Sequence, residues 1–337
     1  MSVLQAAQQE NWDESVQYWR DIKGRAIGSR LDSTARDIAK PRLTRVVGAS
    51  RLRSSKLHDR FGASLKGVDM PFAELAGKRI WYEINGEGEP LVQIPGGALG
   101  LRNFSRVTPV LARHFRVVDF DMVGTGKSTP TPPGYTLQNW TDDLRNLMDL
   151  LEIPQAHLHG TSTGGFIALQ FAAQYPERVM KMALVGVVAR YDTALQLNRK
   201  LAKALAEHVG MEAVAELTAQ AVLTRDFLDS PEAGPLLDQM RSTFGEISPN
   251  AYIATTDATE GVDLGPDLPR ITAPTLVING EYSTSSPVDT GPKGIGGRGI
   301  AQGVQNGRLE VIKGARHLVI MERFQEVCDL IINFLKE

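Results

Sequence analysis

Cysteine is nearly missing from these 337 residues; Cys328 is the single one. That excludes an intramolecular disulfide and any thiolate-rich metal site. No run approaches the ~18 consecutive apolar residues that a membrane-spanning helix needs. The opening stretch, MSVLQAAQQENWDESVQYWR, has no basic segment followed by an apolar one, so no secretory signal is expected there. A formal charge of −2 gives no electrostatic reason to expect nucleic acid or an anionic membrane as partner. Together these absences lead to the expectation of a cytoplasmic protein.

What is present is a globular composition, 42% hydrophobic and 23% charged. At ~150 residues per domain this is two domains, or one large α/β domain with additions. Charge is unevenly spread: residues 1–60 carry 12 Lys/Arg against 7 Asp/Glu, whereas the remainder carries 25 against 32. In the basic part, Trp12, Val16 and Trp19 share one helical face. Residues 1–72 are therefore read as a basic helical extension that packs on the body or on a second copy, making a homodimer. The alternatives are a binding arm for an acidic partner, or disorder. Nothing in it suggests chemistry.

From residue 78 the pattern becomes regular. KRIWYEI and PLVQI read as strands, with Asn85-Gly86 a hairpin turn signal between them. Asn103 to His114 reads as a helix and FRVVDF as a buried strand. Leu137 to Leu151, AHLHG, Gly164 to Tyr175 and MALVGVVA continue the alternation of helices and strands. Such alternation implies an α/β fold with a mostly parallel sheet covered on both faces. Residues 190–268 interrupt it with helical spacing such as Leu201, Leu205 and Val209, and read as a helical cap between two blocks of core, 73–189 and 269–337. PTLVING, RLEVIKG and a closing helix from Glu322 to Leu335 complete that core.

The strongest local signal is Gly160-Thr161-Ser162-Thr163-Gly164-Gly165, set between a strand and a helix. G-x-S-x-G in that context is a nucleophile elbow: a tight turn that only small neighbours allow, presenting a hydroxyl at the sheet edge. The bland alternative is a turn chosen for packing. At the helix start, the N–H of Thr163 is an oxyanion donor candidate. A second is the N–H of Gly97, in the Pro95-Gly96-Gly97-Ala98 loop, unless that loop is an ordinary turn. A serine nucleophile needs a base. Of six histidines, His317 follows a strand and precedes the last helix, at the same sheet edge as Ser162. His58 lies in the basic segment, His114 at a helix end, His157 and His159 on the elbow strand, and His208 in the cap.

These motifs, with the D-x-x-G-x-G-x-S stretch at Asp121, Gly124, Gly126 and Ser128, resemble the α/β-hydrolase superfamily over roughly residues 78–337. Cap phrases such as GMEAVAEL are similar to the 3-oxoadipate enol-lactonase group. NFSRVTPVLARHFRVV is similar to carbon–carbon hydrolases of aromatic ring fission. The resemblance implies a helical cap that selects the substrate and an acid four residues into Gly280-Glu281-Tyr282-Ser283, where Ser283 stands instead of aspartate. A hydroxyl cannot offset the imidazolium charge formed during attack, and loss of that acid costs about 10⁴-fold in known triads. Asp192 and Asp289 are the carboxylates that could substitute, Glu281 being closer in sequence but expected to point away, and the site with no carboxylate is the third option. The histidine that the family places before its oxyanion glycine is Pro95 here.

Two motifs mislead. GTGKS lacks the first glycine of a phosphate loop, because Asp121 stands there. Gly294, Gly296 and Gly299 match G-x-G-x-x-G without the strand–helix setting a dinucleotide site needs, and read as a mobile loop able to gate the site. No cofactor and no metal are expected. Three functions fit. The first is a serine hydrolase acting through an acyl-enzyme on a small apolar ester, lactone or acyl substrate. The second is a cyclase, lyase or acyltransferase using Ser162 and His317 as an acid/base pair. The third is an inactive ligand-binding protein.

Overall fold

A computed structural model describes residues 72–337, so the N-terminal extension lies outside the described residues except for Phe72. Among the described residues eight strands form one sheet: β1 (Phe72–Leu75), β2 (Lys78–Asn85), β3 (Pro90–Ile94), β4 (Arg116–Phe120), β5 (Ala156–Thr161), β6 (Val179–Val185), β7 (Thr275–Gly280) and β8 (Gly307–Ile312). Their order is β1-β2-β4-β3-β5-β6-β7-β8. β1–β2 and β2–β4 are antiparallel, and every later pair is parallel.

The central strands send successive side chains to opposite faces, as a pleated strand must. Val118, Met182, Leu184 and Val277 join one core, and Val117, Ala183, Val185, Leu276 and Ile278 the other. The first core is closed by the helices Leu137–Leu150 and Thr163–Gln174, the second by Phe104, Leu111 and the C-terminal helix Phe324–Lys336. Thr136 starts the helix Leu137–Leu150 with a capping box, its hydroxyl accepting from the Asn139 N–H while the Asn139 side chain accepts from the Thr136 N–H. No helix among the described residues is long and apolar enough to cross a membrane.

Two local expectations need correction. Asn85-Gly86 does not close a hairpin, because β4 is hydrogen-bonded between β2 and β3. Gly86 is there for close approach instead: a Cβ would sit 2.2 Å from the Ala112 carbonyl oxygen, on the chain entering β4. The expected helix from Asn103 to His114 reduces to a 3₁₀ segment Gly97–Phe104 and one α-turn Thr108–Leu111, since Pro109 has no N–H to continue a ladder.

Between β6 and β7 lie the helices Thr193–His208, Met211–Val222, Arg225–Leu228, Ala233–Gly245 and Pro249–Asp257. The spacing of Leu201, Leu205 and Val209 falls on the first of them, Thr193–His208, with Val209 as its C-cap. Its buried residues are Leu195, Ala202 and Ala206; Leu205 packs partly buried on the neighbouring helices, and Leu201 and Val209 are exposed. Ala206 packs in a small core with Met211, Val214, Ala215 and Phe244. Alanines at these contacts let the helices approach closely around Met211 and Phe244.

Candidate active site

Ser162 connects β5 to the helix Thr163–Gln174 with φ +49° and ψ −115°, a conformation that costs a non-glycine residue about 1–3 kcal/mol. Its surroundings hold it there. The Ser162 N–H donates to the Val185 carbonyl at 3.1 Å, and the Gly165 N–H donates back to the Ser162 carbonyl at 2.9 Å. The flanking glycine is a packing necessity, because a Cβ on Gly164 would lie 2.0 Å from the Ile94 carbonyl oxygen.

His317, 155 positions later on the loop after β8, brings Nε2 to 3.2 Å from Ser162 Oγ. Its ring rests over Gly186, where a Cβ would come within 3.3 Å of Nδ1. Glu322 braces the same loop, accepting from the Arg316 N–H at 2.7 Å and from both the N–H and hydroxyl of Thr224. Burial lowers the His317 pKa to about 4, so the imidazole is neutral near pH 7.

Among the described residues no carboxylate stands behind that imidazole. Nδ1 is 2.7 Å from the hydroxyl of Ser286, a residue that sequence reasoning missed. Ser283, at the position expected for the acid, is one step further away, its Oγ 3.0 Å from Ser286 Oγ and accepting from the Ser286 N–H. Buried Asn279 fixes this loop, donating from Nδ2 to the Ser286 carbonyl at 2.8 Å. The two carboxylates weighed as substitutes are committed elsewhere. Asp192 caps the helix Thr193–His208 through the Leu195 N–H and accepts from the Gly291 N–H with its other oxygen. Asp289 is exposed and pairs with Arg298 at 2.8 Å. A short polar side chain before a helix start is a capping signal for Asp192 that the sequence already carried.

Gly97 and Thr163 both line the cleft beside Ser162. Asn103 Nδ2 donates to the Gly96 carbonyl at 2.7 Å. In a trans peptide this directs the Gly97 N–H the opposite way. Asp121 organises the neighbouring turns, its carboxylate accepting from the N–H groups of Leu101 and Lys127, so the D-x-x-G-x-G-x-S stretch is architectural. The Gly294–Gly299 segment, expected as a mobile loop, is tied down: the Ile295 N–H and carbonyl bond Arg190 and Ala189, and Gly297 packs on Asn279. His157 and His159 are buried in the second face of the sheet, His159 bonded to Gln93 and held to about 3 by burial.

The cleft has two characters. One side is apolar, lined by Val222, Met240, Phe244, Ile320 and Met321. The other is rich in hydroxyls and contains Arg199, which donates to Tyr191 Oη, the Thr256 carbonyl and Thr259 Oγ1. Arg199 has no carboxylate within salt-bridge distance among the described residues. No group of three or more His, Cys, Asp or Glu placed to hold a metal ion occurs among the described residues either.

A mostly parallel sheet with a serine elbow and a histidine loop at its edge defines an α/β hydrolase. The sequence pattern of the alpha/beta hydrolase fold matches residues 89–324, and the chain belongs to that family. It is 30% identical over 281 residues to a 2-hydroxymuconate semialdehyde hydrolase of Pseudomonas sp. (strain CF600), covering 78% of this chain and 92% of that one. Identity is 27% over 267 residues to a 2-hydroxy-6-oxononadienedioate/2-hydroxy-6-oxononatrienedioate hydrolase of Paraburkholderia xenovorans, covering 76% and 90%. The enol-lactonase from Burkholderia xenovorans superposes with a TM-score of 0.71 at 27% identity, over 79% of this chain and all of that one. The chain is an enzyme of the hydrolase class.

Proposed function

We propose that the protein hydrolyses a carboxylic ester or lactone through an acyl-enzyme on Ser162. His317 Nε2 takes the Ser162 proton as Oγ attacks the carbonyl, then gives it to the leaving alkoxide. The Gly97 and Thr163 N–H groups hold the oxyanion. Water, deprotonated by the same imidazole, releases the acid. The observation that carries this reading is the 3.2 Å approach of Nε2 to a serine on a positive-φ elbow. The helices between β6 and β7 serve as the cap. They offer an apolar surface at Val222, Met240 and Phe244 and a cation at Arg199. This pairing suits a substrate with an apolar part and a carboxylate, in line with the dioate names of relatives. On this reading the enzyme is cytoplasmic.

One observation favours a second reading. Because His317 Nδ1 meets a hydroxyl rather than a carboxylate, Ser162 and His317 also suit proton transfer without an acyl-enzyme, as in a cyclase or lyase. A fluorophosphonate probe followed by intact-mass measurement separates the cases. A single adduct, lost in Ser162→Ala, together with turnover of an aryl ester supports the hydrolase. Labelling without turnover supports the second reading. No labelling refutes an activated serine.

A further inference from the structure

For His317 to act as a base its Nε2 must carry a lone pair toward Ser162, so the ring proton must sit on Nδ1. A carboxylate behind Nδ1 enforces that tautomer because it can only accept. The partner here is the Ser286 hydroxyl at 2.7 Å, which can accept or donate. If Ser286 donates to Nδ1, the ring proton moves to Nε2 and the pair is useless for attack. Whichever way the Ser286 hydroxyl points therefore decides the state of the base.

The next hydroxyl along belongs to Ser283, three residues back. Ser283 Oγ already accepts from the Ser286 N–H at 3.0 Å and lies 3.0 Å from Ser286 Oγ. Asn279 holds the Ser286 carbonyl, so the Ser286 backbone is fixed relative to both partners. Both hydroxyls are buried, which keeps water from competing for them. We propose that Ser286 and Ser283 form a neutral relay: His317 Nδ1–H donates to Ser286 Oγ, and the Ser286 hydroxyl donates to Ser283 Oγ. The relay holds the imidazole in the basic tautomer without placing a charge beside it. Ser286 and Ser283 are positioning residues. The inference rests on the reading of Ser162 as nucleophile, but the ring tautomer is measurable without any turnover.

The test uses full-length protein with ¹⁵N-labelled histidine. His317 is assigned by its loss in His317→Gln, and the protonated nitrogen is read by long-range NMR near neutral pH. The expected wild-type result is a proton on Nδ1 and a bare Nε2. Ser286→Ala should shift population toward protonated Nε2 and slow fluorophosphonate labelling of Ser162 by roughly 10- to 100-fold, the effect of leaving Nδ1 unsatisfied. Ser286→Thr, which keeps the hydroxyl, should restore both. Ser283→Ala frees the Ser286 hydroxyl to turn toward Nδ1 and should shift the tautomer in the same direction. A wild-type ring protonated on Nε2 overturns the proposal whatever the variants do. So does a Ser286→Ala protein with unchanged melting temperature, tautomer and labelling rate. A wild-type protein that shows the expected tautomer but never labels would sink the hydrolase reading and leave the relay standing.

Discussion

Replacing Ser286 with aspartate puts an anion where a hydroxyl now lies 2.7 Å from His317 Nδ1. With the charge centres ~4 Å apart and an effective dielectric of ~20, the attraction to an imidazolium is about 4 kcal/mol. At 1.36 kcal/mol per pKa unit, that is a rise of ~3 units. His317 would move from about 4 to roughly 7, as in an ordinary triad. Two measurements follow. The acid limb of the fluorophosphonate labelling rate should shift from near pH 4 in the wild type to near neutrality. Above that limb the variant should label faster, by up to ~10³-fold, because the forming imidazolium gains the same stabilisation. Stability should change as well. With a folded pKa below the unfolded 6.5, neutral His317 contributes stability above pH 6.5, and this is lost as the pH falls toward 4. The loss is at most ~3 kcal/mol, since the ring keeps a partly open edge to the cleft. In the variant it should largely disappear. Adding Ser283→Ala makes room if the aspartate is crowded. An acid limb that stays near pH 4 in a folded variant would refute both the electrostatic argument and the placement of Ser286.

Three further outcomes are expected. Arg199→Gln should raise KM for a carboxylate-bearing aryl ester by about 10- to 100-fold, the worth of a charged hydrogen bond. KM for its methyl-ester analogue should stay the same, and equal effects on both would remove Arg199 from substrate binding. Gly164→Ala forces a methyl to within 2.0 Å of the Ile94 carbonyl. It should cost about 3 kcal/mol or more in urea unfolding, so an unchanged midpoint would contradict the strand–helix packing at the elbow. Asp119 is buried among neutral donors, Gln93 and Thr108, and burial lifts its pKa to about 6. A raised folded pKa gives stability that is full below 3.8 and lost as the pH rises to about 6, roughly 3 kcal/mol in all. Asp119→Asn should remove that decline from a stability–pH curve, and a decline that persists would assign it to another group.

The legible parts of this protein were those governed by neighbours in sequence. Alternating apolar strands and helices revealed the sheet, because burial on both faces writes a continuous apolar run into each strand. The elbow was visible because a positive-φ serine between packed elements demands glycines at fixed offsets. Errors came where a residue's partner lies far along the chain. Asn85-Gly86 carries a hairpin signal, but strand order, which is a long-range choice, put β4 between the two strands. Asp192 and Asp289 lie within reach by residue count, but one caps a helix and the other pairs with Arg298 at the surface.

The amino-acid order alone determined that Ser162 sits in a glycine-flanked turn and that a histidine loop follows the last strand, since both depend on local stereochemistry and burial. Tertiary structure alone decided what stands behind the histidine. The Ser283–Ser286 loop has no repeating pattern to read, and its direction is set by the amide of Asn279 and the register of β7 against β8. The Ser286 hydroxyl became the neighbour of the imidazole because β7 and β8 pack side by side and bring the loops that follow them together.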